Sequence, residues 1–390
     1  MNSPLPDPAA PRLRRIIVPY GTRPEIIKLA PVVRALRATG HSVTTVNTGQ
    51  HTDASMSRDL SDALGLDATI TNVLVTDRDL RLGQMVSDAV RIVREQAPDL
   101  VLALGDTDTV PAYSVAAKRS SVPFAHLEAG LRSFNQRSME ELNRRIASAG
   151  AAIHFAPTER ARTFLRSEGI ADERIFVVGN PVIDTLVSTS LPPLGVEERS
   201  GILVTAHRAT NVDDPRRLAR LVQLVNDLAS TIGPVTFPVH PRTARRLAEF
   251  TPALRFDDRV TVSTPSGYVA FVDQLRRSLL VVTDSGGLQE EAAYFGIPLV
   301  VLRGSTSRWE GVENGSVRLA TLDADQGVLE ALDAARALTS AIALRRVASI
   351  PCPYGGGATG EAVASILADP SLDRLLLLEE PSFIKGSLPW

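Results

Sequence analysis

Short, continuous runs of β-branched and other apolar residues alternate along this chain with longer amphipathic segments. The runs lie at 16–18, 43–46, 100–104, 151–156, 202–206, 235–239, 279–283 and 299–302. A strand that is apolar at successive positions is buried on both faces, as the strands of a parallel sheet are. Helical spacing of apolar residues appears in the intervening segments at 24–39, 80–96, 213–230 and 286–295. Repeated units of this kind predict an α/β fold with doubly wound parallel sheets.

The chain has 390 residues, which is enough for two domains of ordinary size. The strand pattern restarts at 202, after a polar stretch that contains prolines. We therefore predict a flexible leader at 1–14, an N-terminal Rossmann-like domain at 15–185, a C-terminal Rossmann-like domain at 186–365, and a C-terminal helix and tail at 366–390 that packs back on the N-terminal domain. A cleft between the two domains is expected, with candidate hinges at 179–181 and 351–357.

Composition excludes several classes of protein. The net charge of -2 argues against a nucleic-acid partner, which usually requires a basic domain or stripe. No signal-peptide pattern is present at the start of the sequence. No apolar run approaches the roughly 20 residues that are needed to span a bilayer. We therefore expect a soluble, cytoplasmic protein without a membrane segment.

The segment after the predicted strand at 16–18 carries two cations beside a predicted helix start. Pro24 suits the first turn of a helix. Arg23 and Lys28 add positive charge next to the helix N-terminus, where phosphate groups bind. The alternative is an ordinary helix start with solvated charges.

Two further strand ends carry residues that are typical of ligand sites. Asp106 follows a strand, where it is either a functional carboxylate or a helix N-cap. After the strand at 279–283, Gly286 and Gly287 would let backbone N–H groups approach a diphosphate, and Glu291 could accept ribose hydroxyls. A tight turn followed by an acidic helix face is the alternative there.

Two of the six histidines occupy the same kind of position. His207 and His240 follow the strands at 202–206 and 235–239, which favours ligand contact, although lone histidines are more often structural. His51 is similar but less informative.

No cofactor is predicted. A G-x-G-x-x-G pattern at 355–360 matches the dinucleotide fingerprint, but it follows no strand and no strand–helix–strand unit encloses it, so we infer no nicotinamide. The sequence has no HExxH pattern, and its single cysteine, Cys352, excludes a cysteine-based zinc site, so no catalytic metal is expected.

Taken in order, these segments and several others resemble the non-hydrolysing UDP-N-acetylglucosamine 2-epimerases, which adopt the GT-B fold. The matching segments are GTRPEIIKLAPV (21–32), TGQH (48–51), GDTDT (105–109), HLEAGLRS (126–133), EELNR (140–144), HFAPT (154–158), GNPVID (179–184), TAHR (205–208), PVHP (238–241), TDSGGLQEEA (283–292) and EGVENGS (310–316). They span most of the chain, from about 15 to 360.

The resemblance implies roles for individual residues. It implies a UDP-sugar-binding set of Arg23, Lys28, Ser285, Gly286, Gly287, Glu291 and Arg308. It implies a catalytic set of Asp106, Glu128, Glu140 and His207. It also implies an allosteric site for a second UDP-GlcNAc, comprising Gln50, Arg78, Glu140, Arg208 and His240. A homodimer is usual in the family and is expected here.

The implied reaction interconverts UDP-GlcNAc and UDP-ManNAc by loss of UDP to 2-acetamidoglucal and re-addition. It needs cations for the departing diphosphate and carboxyl groups with separate acid and base roles. The sequence does not divide those roles among Asp106, Glu128 and Glu140. We expect Arg132 and Arg144 to hold Glu128 and Glu140 in place.

Several positions depart from the family pattern. Met139 stands where a proline usually precedes the EELNR element, and the segments at 207–211, 265–268, 306–310 and 352–357 also differ. These changes leave open a different UDP-sugar. A hydrolysing epimerase, a GT-B glycosyltransferase and a non-catalytic UDP-sugar sensor remain as further alternatives.

Overall fold

A computed structural model describes residues 10–50, 60–62, 64–72, 74 and 77–377. Within these ranges the chain forms two compact units. Unit 1 contains the residues up to Thr185 and those from Gly355 onwards, and unit 2 runs from Leu186 to Tyr354. None of the helices in the described ranges has the length and apolar character needed to cross a membrane.

Unit 1 contains a seven-stranded sheet in the order β3-β2-β1-β4-β5-β6-β7. Its strands are Arg15–Tyr20 (β1), Ser42–Asn47 (β2), Ile70–Thr71 (β3), Leu100–Leu104 (β4), Phe124–Leu127 (β5), Ile153–Ala156 (β6) and Ile175–Val177 (β7). The helices up to the boundary whose bounds lie in the described ranges are Arg23–Ala38 (α1), Arg78–Gln96 (α2), Thr109–Arg119 (α3), Met139–Gly150 (α4), Glu159–Ser167 (α5) and Pro181–Ser188 (α6), which spans it. Neighbouring strands pair in parallel, with Val101 opposite Phe124 in one example.

Unit 2 contains a six-stranded sheet in the order β10-β9-β8-β11-β12-β13. Its strands are Ile202–Thr205 (β8), Val235–Pro238 (β9), Val260–Ser263 (β10), Leu280–Thr283 (β11), Leu299–Leu302 (β12) and Val317–Ala320 (β13). Its helices are Ala209–Val212 (α7), Pro215–Thr231 (α8), Pro241–Ala248 (α9), Tyr268–Arg276 (α10), Leu288–Tyr294 (α11), Trp309–Glu313 (α12), Asp325–Leu338 (α13) and Ala341–Ala348 (α14). All of its strand pairs are parallel.

The continuous apolar runs form the centres of the two sheets. Every residue of β4 and of β11 is buried, because helices pack on both faces of a parallel sheet. Helix α8 covers one face of the second sheet with residues such as Leu218, Leu221 and Val225, which share one side of the helix. The prediction of two doubly wound parallel sheets is confirmed.

The last helices in the described ranges, Thr359–Ala368 (α15) and Asp373–Leu376 (α16), belong to unit 1. Asp184 accepts the backbone N–H of Gly360 at 2.8 Å. A Cβ atom on Gly360 would lie 2.9 Å from the carbonyl oxygen of Pro31 in α1, so glycine permits this close approach. The segment 355–365 therefore belongs to unit 1, whereas the sequence had suggested the second domain, because the first turn of α15 packs on α1 and on Asp184.

The strand orders define one switch point in each sheet. In sheet 1 the order reverses between β1 and β4, and in sheet 2 it reverses between β8 and β11. Ligands of open α/β sheets bind at such points, beyond the carboxyl ends of the strands. The loops that follow these four strands therefore mark where functional residues should lie in each unit.

Candidate functional site

Asp106 lies in the loop that follows β4, and helix α4 holds it in place. Its carboxylate accepts a hydrogen bond from the Arg144 guanidinium. Arg144 also donates to Glu141 at 2.7 Å, and Asn143 donates to the Asp106 carbonyl oxygen at 3.0 Å. Burial alone would raise the pKa of Glu141, but the Arg144 guanidinium and the N–H and hydroxyl of Ser133 hold it below its usual range. Arg144 is therefore fixed between two carboxylates, and its charge faces Asp106.

Glu128 is the first residue after β5, in a left-handed backbone conformation with φ of 64°. Its Oε1 accepts from Lys28 Nζ at 2.5 Å and from Asn180 Nδ2 at 2.8 Å. A Cβ atom on Gly105 would lie 3.4 Å from its other oxygen. The Glu128 carboxylate thus packs against the residue that precedes Asp106. A strained non-glycine backbone persists where surrounding contacts over-determine it, which is common at active sites.

Glu140 is the second residue of α4, which begins at Met139. The N-cap residue Ser138 donates its hydroxyl to Glu140 at 2.5 Å. Residues three and four positions apart share one side of a helix, so Glu140 lies on the side of Asn143 and Arg144, which contact the Asp106 loop.

Two cations lie at the start of α1. Lys28 is buried against Glu128, so a carboxylate already balances its charge. Arg23 is the first residue of the helix, and its Nε is buried without a hydrogen-bond partner among the described residues. A guanidinium at a helix N-terminus is suited to binding an anion.

In unit 2, Asp284 follows β11 and holds His207, which follows β8. The fully buried Asp284 carboxylate accepts the backbone N–H groups of His207 at 3.1 Å and Arg208 at 2.9 Å, and it lies 3.2 Å from His207 Nδ1. Burial alone would raise the pKa of Asp284, but the contacts with His207, Arg208 and Asn211 outweigh it and hold the pKa below its usual range. Because Nδ1 faces Asp284, the other ring nitrogen of the partly exposed His207 is the one available to a ligand.

The glycine loop at 285–287 connects β11 to α11. A Cβ atom on Gly286 would lie 3.0 Å from the Nη1 atom of Arg308, so glycine lets this guanidinium approach the loop. Arg308 is held by Glu290, whose Oε1 accepts from its Nε at 2.7 Å. The loop backbone and one arginine therefore share the switch point of unit 2.

Glu291, on α11, accepts a hydrogen bond from the Tyr268 hydroxyl at 3.0 Å. Burial raises the pKa of Tyr268, and the Glu291 charge raises it further. The tyrosine therefore stays a donor and orients the carboxylate that the sequence assigned to the ribose.

The described residues of the expected regulatory site each make a different contact. Gln50 accepts from Thr109 at 3.5 Å, and Arg208 donates to the Asp284 carbonyl oxygen at 3.0 Å. His240 is the N-cap of α9, and its ring lies 5.4 Å from that of His207. The side chain of Arg78 and the whole of His51 lie outside the described residues.

The structure gives the two arginines expected to hold Glu128 and Glu140 other partners, and it adds residues that the sequence did not single out. Arg144 contacts Asp106 and Glu141. Arg132 binds Glu168 at 2.5 Å and so braces the fold. Among the additions, His126 donates from Nε2 to the Gly105 carbonyl oxygen at 2.8 Å. Burial lowers the pKa of His126 to about 4, so the ring is neutral and supports the Asp106 loop without adding charge.

The added residues, His126, Glu25, Asn180, Asp284 and Glu290, lie within or beside the conspicuous motifs. Their positions in these motifs could have marked them as candidates from the sequence alone. Which side chain each one contacts could be learned only from the structure.

Within the described ranges, no group of three or more histidine, cysteine, aspartate or glutamate side chains could hold a metal ion. Burial raises the pKa of Cys352 to about 11, which makes it a poor nucleophile at neutral pH.

Two doubly wound parallel sheets, each with its polar residues at the switch point, define a protein of the GT-B fold. A family profile described as UDP-N-acetylglucosamine 2-epimerase matches residues 34–368. The chain belongs to this family, and the resemblance seen in the sequence is confirmed.

Relatives and a solved structure match nearly the whole chain. The UDP-N-acetylglucosamine 2-epimerase of Methanocaldococcus jannaschii is 33% identical over 90% of this chain and 98% of its own length. The UDP-2,3-diacetamido-2,3-dideoxy-D-glucuronate 2-epimerase of Pseudomonas aeruginosa is 35% identical over 91% of this chain and 99% of its own. The crystal structure of the Methanocaldococcus jannaschii UDP-GlcNAc 2-epimerase in complex with UDP-GlcNAc and UDP superimposes with a TM-score of 0.79, at 32% identity, covering 90% of this chain and 99% of that one.

Proposed function

We propose that this chain is a non-hydrolysing UDP-N-acetylglucosamine 2-epimerase that interconverts UDP-GlcNAc and UDP-ManNAc. The observation that carries the proposal is the pairing in unit 1, where Asp106 and Glu128 come together at one switch point, each with its own cation. Family membership and the relatives of that name support it.

The chemistry of epimerisation explains why carboxylates paired with cations are useful in this site. The C2 proton of a GlcNAc unit is not next to a carbonyl group, so a base cannot remove it directly. The C1–O bond breaks first and its electron pair leaves with UDP, which makes C1 oxocarbenium-like and acidifies C2–H. A carboxylate then takes the C2 proton, and the C–H electron pair forms the C1–C2 double bond of 2-acetamidoglucal.

The return step reverses these changes on the other face of C2. A carboxyl group donates a proton to C2, and a diphosphate oxygen of UDP attacks C1 to restore the C1–O bond. Separate proton donor and acceptor positions are therefore required. We assign the proton transfers to Asp106, Glu128 and Glu140 together, and we assign contact with the departing UDP to Arg23, His207, Arg308 and the glycine loop at 285–287, with the ribose on Glu291.

The test is incubation with UDP-GlcNAc in D2O, followed by NMR. Deuterium at C2 in both UDP-GlcNAc and UDP-ManNAc is the expected result. Release of free ManNAc with UDP would instead identify a hydrolase, and no reaction without an acceptor would point to a transferase or a sensor. Changing Asp106, Glu128 and Glu140 singly to their amides should abolish exchange while UDP still binds in calorimetry; a variant that retains exchange removes its residue from the set.

A second substrate deserves the same test. The relative that acts on UDP-2,3-diacetamido-2,3-dideoxy-D-glucuronate is as similar to this chain as the relative named for UDP-GlcNAc. Several candidate-site segments, including the one at 207–211, also depart from the family pattern. Comparing kcat/KM for the two sugars decides between them.

We further propose that the protein is a homodimer and that UDP-GlcNAc activates it at a regulatory site that includes Gln50, Arg78, Arg208 and His240. Light scattering on a sizing column tests the first statement. The second requires that small amounts of UDP-GlcNAc accelerate epimerisation of UDP-ManNAc.

A further inference from the structure

Glu25 is a buried carboxyl group that has no part in the reaction described above. It is the third residue of α1 and is 2% exposed. Its Oε2 accepts from the Gly21 backbone N–H at 3.0 Å and from the Thr22 hydroxyl at 2.8 Å. These contacts are local, and they resemble the capping role of a glutamate in the first turn of a helix.

The other oxygen of Glu25 makes a different kind of contact. Oε1 accepts from the Thr107 hydroxyl at 2.8 Å, and these two residues are 82 positions apart in the chain. Thr107 directly follows Asp106 in the loop after β4. Helix capping requires nothing from Thr107, so the second contact needs a separate explanation.

The two loops joined by this contact follow β1 and β4, which flank the switch point of unit 1. One leads into α1, which carries Arg23 and Lys28, and the other carries Asp106. We propose that Glu25 is a positioning residue that clamps the Asp106 loop to the start of α1 and so sets the distance between the proton-transfer carboxylate and the cations. This inference rests on the proposed function for its catalytic consequence, but the clamp itself does not.

The partners of Glu25 are neutral donors, and burial raises its pKa to about 7 although hydrogen bonds from Gly21, Thr22 and Thr107 lower it. The site therefore accommodates the neutral form of the side chain. An amide can accept from Gly21 and Thr22 with its oxygen and donate to the Thr107 oxygen with its nitrogen. Glu25→Gln should consequently preserve the clamp, whereas Glu25→Ala should remove it.

The kinetic test uses matched pairs. Thr107→Ser keeps the hydroxyl and Thr107→Val removes it with little change in size. We expect Thr107→Val to lower kcat about tenfold or more with KM changed less than about threefold, because misplacement of a reacting group by about 1 Å costs up to about a hundredfold. Thr107→Ser and Glu25→Gln should lose no more than about threefold in kcat. Controls are Thr39→Val, at the other end of α1, and Glu159→Gln, an exposed carboxylate in the first turn of α5.

Hydrogen exchange of the amides at 105–109 in the ligand-free protein tests the clamp without activity. Loss of the hydroxyl in Thr107→Val should speed their exchange about tenfold or more, and Thr107→Ser should not. Equal exchange in the two variants, or a kcat loss in Glu25→Gln as large as in Glu25→Ala, overturns the proposal.

Two further outcomes have a defined meaning. If the unmodified protein turns over no UDP-sugar, the proposed function fails and the exchange result alone decides the clamp. If Glu25→Ala does not fold, the two Thr107 variants decide it.

Discussion

The buried pair of Lys28 and Glu128 provides the sharpest test of the structure. The two charged atoms lie 2.5 Å apart, and the side chains are only 6% and 5% exposed. Removing one partner of a buried ion pair leaves the other charge without compensation, which costs about 3–5 kcal/mol. Lys28→Met should therefore lower the free energy of unfolding of unit 1 by about that amount at pH 7.5.

The double variant Lys28→Met/Glu128→Gln separates charge from packing. A neutral amide keeps the shape of the glutamate and its contact with Asn180, so most of the lost stability should return. Catalysis should be absent from the double variant, because an amide cannot exchange a proton as the carboxyl group of Glu128 does in the proposed reaction. Stability would then recover while activity stays lost.

The assay is urea unfolding followed by circular dichroism, with hydrogen exchange of peptides from 100–131 to report on unit 1. The matched control is Arg91→Met, which breaks the exposed contact of Arg91 with Glu95 at 3.2 Å and should cost no more than about 0.5 kcal/mol. A cost below about 1 kcal/mol for Lys28→Met, or no recovery in the double variant, would refute the reasoning.

Three further outcomes are expected. The pKa of Glu25 is raised from 4.5 to about 7, so the stability that its bound proton contributes is fully present below pH 4.5 and is lost as pH rises through 7. Glu25→Gln should therefore match the unmodified protein near pH 4.5 and exceed its free energy of unfolding by up to about 3 kcal/mol at pH 8.5; an advantage that does not grow with pH contradicts this. Asp284→Asn should lower kcat about tenfold or more while UDP binding in calorimetry persists, because the contact that orients His207 is weakened, and an unchanged kcat would remove Asp284 from that role. Gly130→Ala should lower the melting temperature far more than Gly169→Ala: both glycines have positive φ, but a Cβ atom at Gly130 would lie 2.3 Å from the Ala161 oxygen, whereas nothing lies within 4 Å of one at Gly169.

Much of the fold could be predicted because central strands are buried on both faces and leave continuous apolar runs. Five strands lie outside those runs: β5, which is central, and β3, β7, β10 and β13, which are the four edges of the two sheets. An edge strand is paired on one side only and is often short or polar. β3 has two residues, and three of the four residues of β10 are exposed.

In the candidate site, too, the sequence revealed some residues and not others. Asp106, Glu128 and His207 could be singled out because they follow strands or lie in recognisable motifs. Their partners could not, since contacts such as Asp284 with His207 join residues about 77 positions apart in the chain. Arg132 illustrates the limit, because its position near Glu128 in the sequence suggested a contact that the structure assigns to Glu168. Spacing along a strand or helix predicts which residues share a face, but not which side chains meet across elements.

The return of residues 359–368 to unit 1 has a consequence for synthesis on the ribosome. Arg14 Nε donates to the Leu367 carbonyl oxygen at 2.8 Å across 353 positions of sequence, and Gly360 packs directly on α1. Strand β1 and helix α1 are therefore covered by residues that are translated long after them. Until then α1 lacks the helix that packs on it, and a polypeptide that stops short of residue 359 would keep that surface uncovered, as a binding site for chaperones and a target for proteases.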